Sequence, residues 1–134
     1  MRNYCKRFAV VLFMTSSSEF ALKPVLRIDF PPEQRLGRGK AQLLELIRDT
    51  GSISAACRAM GMSYRRAWLL IDELNHMFSQ PSVESQRGGK QGGGAVLTPF
   101  GEALVQRFRG MEQRFAAACA EDLQWLQHHR RVPE

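Results

Sequence analysis

The stretch SISAACRAMGMSYRRAW, residues 52–68, decides the fold predicted for this chain. It places two helical patterns on either side of Gly61, a residue type that adopts the positive φ of a tight turn without steric cost. Cys57, four residues earlier, has the small side chain that is needed where two helices cross at a steep angle. The stretch therefore predicts two helices joined by a tight turn.

Helical periodicity extends in both directions from this turn. Before it, residues 40–50 and 55–60 are predicted helices, and Ser52 or Ser54 is expected to cap the second one. After it, Ser63 is expected to cap a longer third helix. The apolar positions expected to pack between these helices are Ala56, Met60, Met62, Ala67 and Leu70.

A predicted β-hairpin follows the third helix. Residues 83–86 and 95–97 are predicted strands, and the tract RGGKQGGG at 87–94 separates them as a glycine-rich tip. A threonine followed by a proline then predicts the start of a long helix over about 99–129. The order of helix, short helix, turn, helix, basic hairpin and helix is that of a winged helix-turn-helix.

The N-terminal region has weaker signals. Residues 1–21 are interpreted as a flexible leader or a misassigned start, because their apolar run is too short to span a bilayer and no signal-peptidase site follows it. Residues 25–30, VLRIDF, alternate with period two and predict a short strand. Residues 31–39 are predicted to be a turn-rich connector.

The predicted fold class is therefore mainly α with a small β wing: a winged helix-turn-helix plus a long C-terminal dimerisation helix. The predicted DNA-binding domain covers residues 22–98, and the dimerisation helix with its tail covers 99–134.

Composition agrees with one small intracellular domain. The chain has 134 residues, of which 44% are hydrophobic, so it has enough apolar side chains for a core. Its three cysteines are widely spaced, which argues against a disulfide framework or a cysteine-built zinc site and favours a cytoplasmic location. The net charge of +6 is concentrated between residues 35 and 100, where nine Lys and Arg face five Asp and Glu. This excess favours a polyanionic partner.

The first turn of the third helix contains the predicted DNA-reading residues. Arg65 and Arg66 are suited to donating two hydrogen bonds to guanine O6 and N7, and Tyr64 to contacting a phosphate or a thymine methyl. The alternative is that both arginines belong to an ordinary solvated face. In the hairpin tip, Arg87 and Lys90 are predicted to neutralise phosphates or enter the minor groove.

A heptad-like stripe marks the last predicted helix. We predict that it pairs with a second copy of the chain, so that the protein is a homodimer. The alternative is a helix that folds wholly onto its own domain. The stripe consists of Leu104, Phe108, Met111 and Phe115.

Enzyme chemistry has little support in this sequence. The glycine tract is not a P-loop, because Glu84 stands where the first glycine should be and Gln91 follows Lys90. His76 is interpreted as structural, and the histidines at 128 and 129 lie at a polar end. No catalytic residue, metal ligand or cofactor is predicted.

Two segments together resemble a known family. LGRGKAQLLELIRDTGSISAACRAMGMSYRRAW (36–68) and GGKQGGGAVLTPFGEALVQRF (88–108) resemble the N-terminal DNA-binding domain of ModE-type molybdate-responsive transcriptional regulators, over roughly residues 22–115. More loosely, SISAACRAMGMS (52–63) resembles the helix-turn-helix of LysR-type regulators. The ModE resemblance implies two sets of DNA contacts: recognition-helix residues Ser63, Tyr64, Arg65 and Arg66, and wing residues Arg87, Lys90 and Gln91.

The function expected from these patterns is sequence-specific DNA binding by a dimeric, cytoplasmic transcriptional regulator, with molybdenum-related target genes. No membrane association is expected. Full-length ModE-type proteins continue into a molybdate-binding part, and residues 116–134 do not resemble one, so molybdate binding is not expected of this chain. Two alternatives remain: a winged-helix module that binds a protein, and a nucleoid-like protein that binds DNA without sequence preference.

Overall fold

The computed structural model describes residues 21–86 and 94–131, which are mostly helical with two small antiparallel strand pairs. Residues 25–115 form one compact unit, and the described residues of a second unit are 21–24 and 116–131. The elements are β1 (Arg27–Phe30), β2 (Gln34–Gly37), α1 (Arg38–Thr50), α2 (Ile53–Met60), α3 (Tyr64–Met77), β3 (Val83–Gln86), β4 (Gly94–Leu97), α4 (Pro99–Ala118) and α5 (Ala120–His129).

Strands β1 and β2 form an antiparallel pair in which Ile28 lies opposite Leu36. The strand predicted over 25–30 is confirmed, beginning two residues later. The predicted connector over 31–39 is wrong in part, because β2 lies within it. Leu36 is buried in the core and gives β2 its anchor, although it is the only large apolar residue of that strand.

Helices α2 and α3 have the predicted N-terminal caps. Ser52 Oγ accepts a hydrogen bond from the Ala55 amide at 3.1 Å, and Ser63 Oγ accepts one from the Arg66 amide at 3.1 Å. Gly61 ends α2 with φ at 65°, in the left-handed region where a side chain is strained. The tight turn predicted between α2 and α3 is therefore confirmed.

The core of the 25–115 unit lies where α1, α2 and α3 meet. Ala56 and Ala67 are fully buried and Cys57 is nearly so, which confirms the small residues expected at the helix crossing. Met60, Met62 and Leu70 are partly buried against the same cluster. The largest fully buried apolar side chains are Leu43, Leu44, Ile47, Ile71, Leu74 and Phe108.

The β3–β4 pair is attached to α3 through Asn75. The Asn75 Oδ1 atom accepts hydrogen bonds from the Ser82 amide at 2.8 Å and the Val83 amide at 3.1 Å, while its Nδ2 donates to the Val83 carbonyl at 3.1 Å. After β4, Thr98 Oγ1 donates to the Pro81 carbonyl and accepts from the Gly101 amide, which confirms the predicted cap of α4. These bonds fix both strands relative to α3.

Helix α4 passes very close to the segment before β3. A Cβ atom on Gly101 would lie 2.2 Å from the Ser82 carbonyl oxygen, so only glycine fits there. The single helix predicted over about 99–129 is interrupted at Cys119, which separates α4 from α5. No helix in the described residues combines the length and the apolar character needed to cross a bilayer.

Candidate nucleic-acid interface

The first turn of α3 presents all four residues of the predicted recognition set at one exposed end of the helix. Ser63, Tyr64, Arg65 and Arg66 are exposed, while the next residue, Ala67, is buried. The Ser63 hydroxyl accepts the Arg66 amide and so fixes the start of the helix. A buried residue directly after the exposed ones holds this turn against the core and directs its long side chains outward.

Arg65 and Arg66 are the two cations of this turn. Within the described residues, neither Arg65 nor Arg66 makes an ion pair or a side-chain hydrogen bond. An arginine without a carboxylate partner keeps all five N–H donors and its full charge for a ligand.

Two more arginines continue this charge on either side of α3. Arg58, at the end of α2, lines a shallow depression of about 360 Å³ together with Tyr64. Arg35, on β2, lines an open cavity of about 470 Å³ together with Arg66 and Lys40, and the acidic residues Glu33 and Glu73 line the same cavity. Neither Arg58 nor Arg35 is paired with an acidic residue in the described part of the chain. We call the surface formed by Arg35, Arg58, Arg65 and Arg66 the basic face.

Large apolar side chains are also exposed on α3. Tyr64 is 53% exposed and contacts Trp68 edge to face, with ring centroids 6.1 Å apart. Trp68 is 37% exposed and Leu69 is 61% exposed. Trp68 and Leu69 are not among the residues predicted from the sequence to contact DNA. Both lie off the buried stripe of α3, which is the signal that would have found them.

Acidic residues mark the end of this surface along α3. Asp72 Oδ1 lies 3.4 Å from His76 Nδ1, and the His76 side chain is 74% exposed. Glu73 Oε1 lies 2.9 Å from Lys40 Nζ. The same Nζ donates a hydrogen bond to the Arg35 carbonyl oxygen and contacts the Met77 sulfur. Because no acid precedes Asp72 on α3, the first two turns are the part of the helix suited to a polyanion.

A second group of arginines, away from α3, is fully paired. Arg109 on α4 binds Glu45 of α1 at 2.5 Å and Glu112 at 2.7 Å, and these hydrogen bonds raise its pKa above the ordinary value. Arg48 lies 3.0 Å from Asp49 and 3.8 Å from Glu102, and its pKa is raised chiefly by the Asp49 hydrogen bond. We call Arg48, Arg109 and their four acidic partners the paired seam.

The predicted wing contacts lie outside the described residues. Arg87, Lys90 and Gln91 belong to the segment 87–93, so their contacts with DNA stay predictions. The strands on either side are described, and they place Gln86 directly opposite Gly94 in the antiparallel register.

The residues of the predicted dimerisation stripe differ in their burial. Phe108 is fully buried in the core of its own unit, and Leu104 and Met111 pack against that core. Phe115 is 41% exposed. Pairing between two chains stays a prediction. No cluster of three or more potential metal ligands occurs in the described residues.

Comparison with known proteins gives several relatives but no matching family model. The molybdenum-pterin-binding protein MopB of Rhodobacter capsulatus is 46% identical over 78 residues, which cover 58% of this chain and 29% of MopB. The molybdenum transport protein ModE of Azotobacter vinelandii is 38% identical over 79 residues, 59% of this chain and 29% of that protein.

A third relative is described as a regulator. The DNA-binding transcriptional dual regulator ModE of Escherichia coli K12 is 44% identical over 69 residues, 52% of this chain and 26% of that protein. The matched segment therefore spans less than a third of each of these relatives. Over that segment the chain is homologous to ModE-type proteins, which confirms the resemblance predicted from its sequence.

Proposed function

We propose that this chain is a sequence-specific DNA-binding transcriptional regulator of the winged helix-turn-helix class. In this proposal α2 and α3 are the helix-turn-helix, α3 is the recognition helix, and the β3–β4 hairpin is the wing. The tight turn at Gly61, the small buried residues at the α2–α3 crossing and the hairpin that follows α3 support this assignment.

The observation that carries the proposal is the positive charge on the first turn of α3, which forms no ion pair within the part of the chain that the structure describes. Arg65 and Arg66 project from the exposed end of the helix, and Arg58 and Arg35 extend the charge to both sides. A recognition helix contacts base edges with its N-terminal residues, and flanking cations contact phosphates. The basic face has this division: Arg65 and Arg66 suit base edges, and Arg35 and Arg58 suit phosphates.

The names of the relatives supply the biological context of the proposal. They describe DNA-binding regulation, molybdenum transport and molybdenum-pterin binding. We propose that this chain acts on molybdenum-related genes, in the cytoplasm, and without catalysis of its own. Arg87, Lys90 and Gln91 are proposed to contact DNA from the wing.

We also propose that the chain binds DNA as a homodimer. Phe115 on α4 is 41% exposed, and on α5 Trp125 is 61% and Leu126 49% exposed. Contiguous exposed apolar side chains form partner-binding surfaces, and we propose that each of these residues contributes to such a surface in the dimer. A dimer would present two recognition helices, and the bound DNA would then contain an inverted repeat.

Selection of bound sequences from a random DNA pool tests the proposal. A regulator enriches one motif, and a dimer enriches an inverted repeat of it. Retention of all sequences alike would identify a non-specific nucleoid-like protein. No DNA shift at low salt, together with a stoichiometric protein partner in a DNA-free pull-down, would identify an interaction module. Sedimentation of the wild type and Phe115→Asp, with and without the selected DNA, tests the dimer separately.

A further inference from the structure

Leu69 is an apolar residue on the side of α3 that faces away from the core. At about 100° per residue, the buried positions Ala67, Ile71 and Leu74 define one side of the helix. Arg65 and Leu69 point to the opposite side and are one helical turn apart. Leu69 is thus the apolar residue that projects farthest from the core on this helix, and its 61% exposure agrees with that position.

The surroundings of Leu69 favour DNA over a protein as its partner. Arg65 lies one turn before it on the same side, and Arg58 and Arg66, which make no ion pair with any described residue, add positive charge near the start of the helix. Asp72 and Glu73 follow Leu69 by one turn and end this basic surface on its C-terminal side, and no acidic residue occurs on α3 before them. A surface with this charge complements a phosphate-lined groove.

The major groove offers one apolar group to such a side chain. Among the four base-pair arrangements, only thymine presents a methyl group, at C5, while the other groups on the base edges are hydrogen-bond donors and acceptors. An aliphatic side chain beside a base-reading arginine therefore has a single apolar target.

Resting on the proposed function, we propose that Leu69 is a specificity-determining residue that contacts a thymine methyl. Four helical residues advance about 6 Å along the axis, and base pairs are about 3.4 Å apart. For a recognition helix that lies along the major groove, the contacted thymine is therefore about two base pairs from the base that Arg65 contacts. Arg65 and Leu69 together read a guanine and a thymine at this spacing in each half-site.

Deoxyuridine, which is thymine without the C5 methyl, tests this contact directly. In the motif obtained by selection, each thymine is replaced singly by deoxyuridine, and the affinities of wild type and Leu69→Ala are measured for every duplex. Burial of one methyl is worth about 0.8 kcal/mol, so wild type should bind one of these duplexes about fourfold more weakly than the thymine duplex. Leu69→Ala should bind both duplexes equally well.

Two further variants control for general effects of truncation. Leu69→Met keeps an apolar tip and should regain part of the discrimination between thymine and deoxyuridine. Val25→Ala shortens another exposed aliphatic side chain, 53% exposed and away from α3, and should retain the wild-type discrimination. Melting temperatures should match wild type for both Leu69 variants, because a side chain this exposed contributes little to folding.

The outcomes separate this inference from the proposed function. If wild type binds its motif selectively but tolerates every deoxyuridine, the inference is overturned and the proposed function stands. The same holds if Leu69→Ala discriminates as well as wild type. If no motif is selected at all, the proposed function fails, and the inference fails with it.

Discussion

The basic face and the paired seam are both rich in arginine, but they differ in whether those arginines form ion pairs with described residues. On the basic face, Arg65 and Arg66 make no ion pair within the described residues. In the paired seam, Arg109 holds two carboxylates at hydrogen-bonding distance and Arg48 lies beside two more. Residue type alone therefore does not identify a nucleic-acid surface in this chain.

The difference shows what separates a structural arginine from a ligand-binding one. A guanidinium that already holds carboxylates has its donors occupied, and a phosphate would have to displace them. A guanidinium without such partners gains by meeting a phosphate or a guanine edge, and releases counterions from DNA as it does so. We therefore expect substitutions in the two regions to affect different measurements: binding for the basic face and stability for the paired seam.

The largest expected effect is on the basic face. Arg65→Ala or Arg66→Ala should weaken binding to the selected motif by about 1–3 kcal/mol, because in the proposed complex each arginine donates two hydrogen bonds to one guanine. Titration against a panel of single base-pair substitutions should show that the loss is confined to one position of the motif for each variant.

Arg107→Ala is the matched control for this experiment. Arg107 is an exposed arginine of α4 that makes no ion pair in the described part of the chain, but it lies outside the basic face. Its replacement should leave both affinity and sequence preference unchanged. Wild-type affinity for every duplex in both Arg65→Ala and Arg66→Ala would show that α3 does not read bases through these residues.

Asn75 lies on α3 and carries no charge. Asn75→Ala removes the acceptor of the Ser82 and Val83 amides, which belong to buried residues. Unpaired buried donors cost about 1–3 kcal/mol, and urea unfolding should show a loss of this size. Asn75→Asp keeps the Oδ1 acceptor and should lose less. Equal stability of Asn75→Ala and wild type would contradict the role assigned to these bonds.

The local chemistry around Gly61 made much of this fold predictable. A positive-φ glycine and a serine cap act over only a few residues, so the ends of α2 and α3 could be predicted from the sequence. The same reasoning located the first turn of α3 and its arginines. It could not show that these arginines lack partners, because that depends on where the acidic residues lie in three dimensions.

The missed features depend on tertiary contacts. Strand β2 has a single large apolar residue, Leu36, and is stabilised by pairing with β1 and by the core. The bonds of Asn75 join α3 to residues seven and eight positions further along, across a loop that no periodic pattern describes. The interruption at Cys119 falls in an alanine-rich stretch without glycine or proline, so the sequence carried no signal for it.

A smaller effect is expected in the paired seam. Arg109→Ala should lower the free energy of unfolding by about 1 kcal/mol or less, because both ion pairs are partly exposed to solvent. The pKa of Arg109 is raised in the folded state, so its contribution to stability is fully present below the ordinary arginine value. The difference in free energy of unfolding between Arg109→Ala and wild type, so far as it depends on the charge of Arg109, should therefore be the same at pH 7 and pH 9. Arg109→Ala should also bind the motif with unchanged affinity. If it lost base preference, the paired seam would contribute to DNA binding, which would contradict the difference drawn between the two regions.

The smallest expected effect belongs to Arg58, which is proposed to contact a phosphate and not a base. Arg58→Ala should weaken binding to all sequences by a similar factor and reduce the slope of log affinity against log salt by about 1. Between 50 and 200 mM salt, this corresponds to about a threefold to fourfold smaller loss of affinity than wild type shows. Arg109→Ala should keep the wild-type slope, because its guanidinium is occupied by Glu45 and Glu112. Equal slopes for Arg58→Ala and wild type would exclude Arg58 from the phosphate contacts, whereas a change confined to one base pair would make it a base-reading residue.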